Sequence, residues 1–252
     1  MARDVMRAID PVRLMQDTGI AQPDQWQIDT LREVASGAAS RVLLNCARQV
    51  GKTECAINLV EWFSLYRPGS LSLIVSPSQR QSGEVFRRLM LLHSSLKDVP
   101  ELTAESALRA VYANQSRVLA LPGSEKTTRG YAAADLIICD EAAGIDDSLI
   151  ASIRPMLALR EGTLIMMSTP RGERGEFHRA WTEGGDGWRR VKVDANMCPR
   201  LSEDYLRDER AQMGELLFRQ EFMCEFIADG ELLFAVDLFK SCFNHLEVEV
   251  FF

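Results

Sequence analysis

The segment Arg41-Val-Leu-Leu-Asn-Cys-Ala-Arg-Gln-Val-Gly-Lys-Thr53 constrains this chain more than any other stretch. A short apolar run leads into Gly51-Lys52-Thr53, a sequence suited to a turn from a strand into a helix. Backbone N–H groups at such a turn point at an anion and the helix dipole favours negative charge there. A lysine and a hydroxyl then complete a site for a Mg-nucleotide. The residues expected around the phosphates are Ala47, Arg48, Gln49, Val50, Gly51, Lys52 and Thr53. The glycine usual five residues before the Gly-Lys pair is replaced by Cys46, and the loop carries an arginine, Arg48.

A turn of this kind needs a sheet behind it. The 252 residues, 46% of them hydrophobic, suffice for one large α/β core with appendages. Apolar runs predict strands near 41–46, 71–75, 117–121, 135–139, 163–168 and 188–193. Helical patterns lie near 52–66, 79–95, 146–158, 174–183 and 203–226. Residues 1–20 read as a short helix with a polar break, and Asp24 is placed to cap a helix through Ile28, Leu31 and Val34. Leu71-Ser-Leu-Ile-Val75 and Asp135-Leu-Ile-Ile-Cys139 are continuous rather than alternating, as in strands covered on both faces. The expectation is a predominantly parallel sheet with helices on both sides.

In a parallel sheet the C-terminal ends of the strands share one edge, so later strand ends can complete the phosphate site. Asp135-Leu-Ile-Ile-Cys-Asp-Glu141 delivers two carboxylates: Asp140 to hold Mg²⁺ beside Thr53, and Glu141 to orient and polarise a water. Gly162-Thr-Leu-Ile-Met-Met-Ser-Thr-Pro170 ends in Ser168 and Thr169, which can bond a terminal phosphate or its water. Trp26 and Gln27 precede the loop; the indole can stack on a base, and the amide offers a donor and an acceptor matched to the edge of adenine. Arg48 lies within reach of the phosphates, and Arg129, in Glu125-Lys-Thr-Thr-Arg-Gly-Tyr131, can be presented outward to a neighbouring site.

Other classes are disfavoured. The six cysteines include no C-x-x-C pair and the three histidines lack zinc spacing, so reduced, buried thiols are expected. No basic-then-apolar leader and no run near ~18–20 apolar residues is present, so a soluble cytoplasmic protein is expected, with no membrane partner. A net charge of −7 argues against a surface that coats nucleic acid, leaving Arg87–Arg88 and Arg189-Arg190-Val191-Lys192 as local candidates for DNA contact.

Taken in order, Trp-Gln, Ala-Arg-Gln-Val-Gly-Lys-Thr, Thr-Thr-Arg-Gly-Tyr, Leu-Ile-Ile-Cys-Asp-Glu-Ala-Ala and Ser-Thr-Pro-Arg-Gly resemble the ATPase domain of the large terminase subunit of tailed double-stranded DNA bacteriophages. Connecting segments share the likeness, among them Ser76-Pro-Ser-Gln-Arg-Gln-Ser82, Arg171-Gly-Glu-Arg-Gly-Glu-Phe-His-Arg-Ala-Trp181 and Phe218-Arg-Gln-Glu-Phe-Met-Cys-Glu-Phe226. The resemblance covers roughly residues 20–235.

It implies a P-loop NTPase of the ASCE/RecA-like kind, with an ATPase core over 1–200 that includes an N-terminal helical segment 1–35. A small helical lid or linker over 201–252 would lead toward an RNase-H-like nuclease domain. It implies ATP hydrolysis with Mg²⁺, driving double-stranded DNA into a procapsid in the cytoplasm of an infected bacterium. The implied partners are DNA, the portal protein, the small terminase subunit and copies of the chain itself. Those copies would form a homo-oligomeric ring, expected to be a pentamer, with the isolated domain expected as a monomer.

Within the resemblance Lys52 and Thr53 bind phosphate and Mg²⁺, Asp140 holds the metal and Glu141 is the catalytic carboxylate. Gln27 reads adenine, Ser168 and Thr169 couple hydrolysis to movement, and Arg48 acts within the subunit. Arg129 is the best match for a finger inserted into the neighbour, with Arg154 and Arg171 as the other candidates. No acidic triad follows the ATPase motifs, so DNA cleavage is not expected of these residues. Two competing readings are a helicase-like translocase, which would need a second RecA-like domain, and a prophage remnant that binds ATP or a portal partner without turnover.

Overall fold

A computed structural model describes residues 2–122 and 133–228. The continuous apolar strands feed two cores at once, because successive side chains of a strand point to opposite faces. In β1 (Arg41–Cys46), Val42, Leu44 and Cys46 enter one apolar cluster and Leu43 the other. In β2 (Leu71–Ser76), Ile74 faces the first and Leu73 and Val75 the second. The same alternation runs through β6 (Leu136–Asp140) and β7 (Thr163–Ser168).

With β3 (Leu102–Ser106), β4 (Arg109–Tyr112), β5 (Arg117–Pro122) and β8 (Arg189–Val193), these strands form one eight-stranded sheet in the order β3-β4-β5-β2-β6-β7-β1-β8. The six strands from β5 to β8 run parallel. The β3–β4 hairpin adds an antiparallel edge, which sequence reasoning missed. The miss has a physical cause: β3 buries none of its residues, so it carries no apolar periodicity to detect.

On one face pack α1 (Ala2–Ile9), α2 (Pro11–Asp17), α3 (Gln25–Ala35), α4 (Lys52–Tyr66) and α5 (Gln79–Ser95). Every residue of α4 from Cys55 to Leu65 is buried, so the helix that leaves the phosphate turn is fixed on all sides. On the other face lie α6 (Asp147–Ile153) and α7 (Gly175–Thr182). The chain then returns to the first face through α8 (Glu203–Met213) and α9 (Glu215–Met223), where Phe218 and Phe222 join the first core.

The polar break expected within residues 1–20 falls at Asp10, where Pro11 opens α2 and the Asp10 carboxylate accepts a bond from the Val12 N–H. Two predicted helices are subdivided. The segment predicted as 146–158 ends as a helix at Ile153 and tightens into a 3₁₀ turn over Arg154–Leu157, where Pro155 lacks an N–H. The long helix predicted over 203–226 breaks at Gly214, whose φ of 81° lies outside the helical region.

Four arginines of the two basic clusters have partners within the fold, while Lys192 is exposed. Arg87 pairs with Glu84, Arg88 with Glu54 and Arg189 with Glu33. Arg190 donates to the carbonyls of Ala180, Trp181 and Gly185. Among the described residues no helix is long and apolar enough to cross a membrane.

One buried polar network ties α4, α5 and β4 together. Glu61, fully buried, takes the Tyr112 hydroxyl at 2.7 Å and His93 Nδ1 at 2.8 Å. Burial works against the imidazolium, yet the bond to Glu61, its charge and the more distant Glu105 together leave the His93 pKa above its ordinary 6.5. A raised folded-state pKa contributes stability that is complete below the unfolded value and is lost as pH rises through the folded one. Thermal midpoints are therefore expected to fall as pH climbs from about 6.5 into the alkaline range. His93→Gln should flatten that slope; an identical slope in both proteins would rule the network out as its origin.

Candidate nucleotide-binding site

The edge formed by the C-terminal ends of β1, β6 and β7 carries a cleft of about 710 Å³. It is lined by Arg48, Gln49, Lys52, Glu141, Ser168 and Thr169, with Gln81, Arg171, Gln220 and Glu221 among the others. Most of the residues that sequence reasoning assigned to the phosphates are thus gathered here.

The phosphate turn is held from outside. The Ala47 N–H donates to the Val193 carbonyl at 2.8 Å and the Arg48 N–H to the Glu221 carbonyl at 3.2 Å. Gln49 and Gly51 both adopt positive φ, 61° and 92°, and α4 starts immediately afterwards. The φ of Gly51 is what calls for glycine there, and a Cβ would also lie 2.9 Å from Gln27 Nε2. The opening N–H groups of α4, at Lys52 and Thr53, have no acceptor within the helix; Lys52 lines the cleft, and Thr53 follows it in the first turn without lining it.

Gln27 and Trp26 depart from expectation. The Gln27 amide accepts from the Asp24 N–H at 3.0 Å and donates to the Gly51 carbonyl at 3.2 Å, so it braces the turn. Trp26 is 7% exposed and belongs to the first core, so the stacking of its indole on a base is corrected to a packing role. A residue that the sequence did not reveal completes the brace: Arg200 holds Asp24 through two bonds of 2.9 and 2.7 Å and donates to the Val50 carbonyl at 3.2 Å. Arg200 sits in an irregular connector 150 positions from Val50, beyond any periodic signal.

The carboxylates follow. Asp140 ends β6 at 6% exposure, and its Oδ1 has no partner among the described residues. Burial, reinforced by the charge of Glu141, pushes the Asp140 pKa up to about 6. A buried acceptor left unpaired is costly unless a ligand or ion completes it. Glu141 follows in the left-handed region at φ 51° and accepts an ion pair from Lys52 at 3.0 Å. Burial opposes the Lys52 ammonium, yet Glu141 and then Asp140 outweigh it and hold its pKa above the ordinary value. Ser168 sits in register with Asn45 of β1, and Met167 with Asp140, so β7 lies between the phosphate strand and the acidic strand.

Arg48 lines the cleft, but its guanidinium is held by Glu221 of α9 instead of pointing freely at the expected phosphates. Glu221 and the buried Gln220, whose Oε1 also lacks a partner among the described residues, were not predicted. Their only trace in the sequence is the Phe218–Phe226 segment. Arg129 lies outside the described residues, as do Cys242, His245 and the apolar stretch 234–252. Cys46, Cys55, Cys139, Cys198 and Cys224 are buried and free, and no cluster of three or more metal-ligating side chains occurs among the described residues. One carboxylate and one hydroxyl beside a phosphate turn suit Mg²⁺ carried in with a nucleotide, since that ion usually keeps several waters and needs few protein ligands.

A braced phosphate turn, an acidic strand end and a hydroxyl-bearing strand between them define a phosphate-loop protein with a RecA-like fold. A family model described as "Terminase large subunit, T4likevirus-type, N-terminal" matches residues 43–241, and the chain belongs to that family. A large terminase subunit of Thermus phage G20c is 28% identical over 234 residues, covering 78% of this chain and 48% of that protein. The chain spans about half the length of the curated relatives it matches. Among solved structures, the large terminase ATPase domain of Thermus phage P74-26 superposes with a TM-score of 0.69 at 23% identity, covering 82% of this chain and 94% of that one. The large terminase of another thermophilic bacteriophage, solved in complex with ATP-gamma-S, gives a TM-score of 0.67 at 11% identity, covering 82% and 53% respectively.

Proposed function

We propose that this chain hydrolyses ATP to ADP and phosphate and thereby powers the movement of viral double-stranded DNA into a procapsid. The observation that carries the reading is the buried Asp140 Oδ1, without a partner among the described residues, beside the Lys52–Glu141 pair at the N-terminus of α4. Membership of the terminase large-subunit family supplies the biological setting.

Turnover starts with the N–H groups of the turn and the Lys52 ammonium taking the phosphates of ATP. The Lys52–Glu141 pair gives this step a second effect. At 3.0 Å from the ammonium, Glu141 is engaged by Lys52, and a polyanion competing for Lys52 sets it free. Glu141 then orients a water against the terminal phosphorus and accepts its proton, the bond to the bridging oxygen breaks, and ADP leaves with that electron pair. Thr53 and Asp140 would hold Mg²⁺, whose chemistry is to neutralise the negative charge of the phosphates. Ser168 and Thr169, both buried at the cleft, respond to loss of the terminal phosphate. The Arg48–Glu221 pair couples the phosphate turn to α9, so α8 and α9 serve as the lid. Arg129 is proposed as the finger supplied to a neighbouring subunit.

The partners of this reading are DNA, the portal protein, the small terminase subunit and a ring of identical subunits, acting in the cytoplasm of the infected host. Measuring ATPase rate against protein concentration, with and without DNA, tests it. Activity per subunit should rise as subunits associate and complete one another's sites. Absence of hydrolysis at every concentration, with DNA present, would sink the enzymatic reading.

A further inference from the structure

We infer that Arg171 is a catalytic-site cation of its own subunit, contacting the terminal phosphate of the bound nucleotide. This rests on the ATPase reading above and goes beyond it, because Arg171 stood only as a candidate for a finger inserted into a neighbour.

Among the described residues, three cationic side chains line the cleft: Arg48, Lys52 and Arg171. Arg48 is held by Glu221 and Lys52 by Glu141. Arg171 has no ion-pair partner among the described residues. A guanidinium that lines this cleft without a carboxylate partner among the described residues is prepared for an anion, since its five N–H donors match phosphate oxygens in a planar fork.

Its placement is intramolecular. Arg171 follows Ser168, Thr169 and Pro170, all of which line the same cleft, and the chain turns away at Gly172 with φ 71°. Arg171 Nη1 lies 3.3 Å, and Pro77 3.2 Å, from where a Cβ on Gly144 would stand. Gly144 ends the short turn Ala142–Gly144 that directly follows Glu141. The guanidinium therefore rests over the turn behind the hydrolytic carboxylate of its own chain. Arg154, the other candidate, is committed elsewhere, 2.6 Å from Glu176 of α7.

A contact to the terminal phosphate alone should distinguish triphosphate from diphosphate without any neighbour. The test is equilibrium binding of ATPγS and of ADP, each with Mg²⁺, to the 252-residue chain below its self-association concentration. Wild type should prefer ATPγS. Arg171→Ala should lose about ten- to a hundredfold in affinity for ATPγS, as expected for one charge-assisted contact, with ADP affinity unchanged and Arg171→Lys recovering part of the loss.

Equal losses for both nucleotides, or no loss, would overturn the inference while leaving the ATPase reading intact. Failure of wild type to bind either nucleotide would overturn both. Mixing Arg171→Ala with Glu141→Gln subunits separates cis from trans action. Recovered turnover would show that Arg171 serves a neighbour and would overturn the assignment; no recovery supports it.

Discussion

Glu141→Gln is expected to bind ATP at least as tightly as the parent chain and to leave it unhydrolysed. A positioned general base contributes roughly 10²–10⁴ in rate, so turnover should fall by about that factor. The rise in affinity follows from the same contact. Lys52 lies 3.0 Å from Glu141, so an incoming phosphate must first displace a carboxylate from the ammonium. Glutamine keeps the shape and removes the competing charge. Glu141 is partly exposed and sits at a strand end rather than within the core, so the thermal midpoint should change little. Steady-state turnover and equilibrium binding of ATPγS, measured on one preparation, check both halves. A Glu141→Gln protein with undiminished turnover would remove Glu141 from the chemistry.

The parts of this site that were legible in the sequence are those fixed by short-range pattern. The run from Arg41 through Thr53 specifies a buried strand and a helix start, and both appear at the predicted positions, with Gly51 between them at positive φ. Asp140 and Glu141 follow an apolar run, and a parallel sheet allows that run only one edge at which to deliver them. What escaped detection is held by contacts between distant segments. Arg200 reaches Val50 and Asp24, and Glu221 reaches Arg48, through side chains whose spacing obeys no period.

Gln27 and Trp26 show what residue type alone leaves open. Their residue types suit a base, but the fold turns the amide onto Gly51 and the indole into the core. Gly214 was passed over because the apolar pattern continues through it, although its backbone is not helical. In the β3–β4 hairpin, β3 buries nothing and the four-residue β4 buries only Ala110 and Tyr112, too short an alternation to mark a strand.

Lys52→Ala should act in the opposite direction on binding. Removing the ammonium deletes the cation that meets the phosphates, and each charge-assisted hydrogen bond lost costs about 1.5–3 kcal/mol. It also leaves Asp140, 6% exposed and already pushed up to about 6, and its neighbour Glu141 facing the incoming polyanion without a counter-charge. ATPγS affinity should therefore drop by about a hundredfold or more, the upper end of what one bond accounts for, with carboxylate repulsion adding to it. Adding Glu141→Gln to Lys52→Ala should recover only the part that comes from carboxylate repulsion, which equilibrium binding of the double variant measures.

The contrast between the two single variants is what separates a poised site from an ordinary ion pair. If Lys52 and Glu141 were joined only for stability, removing either partner would lower the thermal midpoint by similar amounts and shift nucleotide affinity in the same direction. Opposite shifts, tighter for Glu141→Gln and weaker for Lys52→Ala, require that the lysine be contested between the carboxylate and the phosphates. Shifts of the same sign would reduce the Lys52–Glu141 pair to a structural contact and take away the proposed release of the base by ATP.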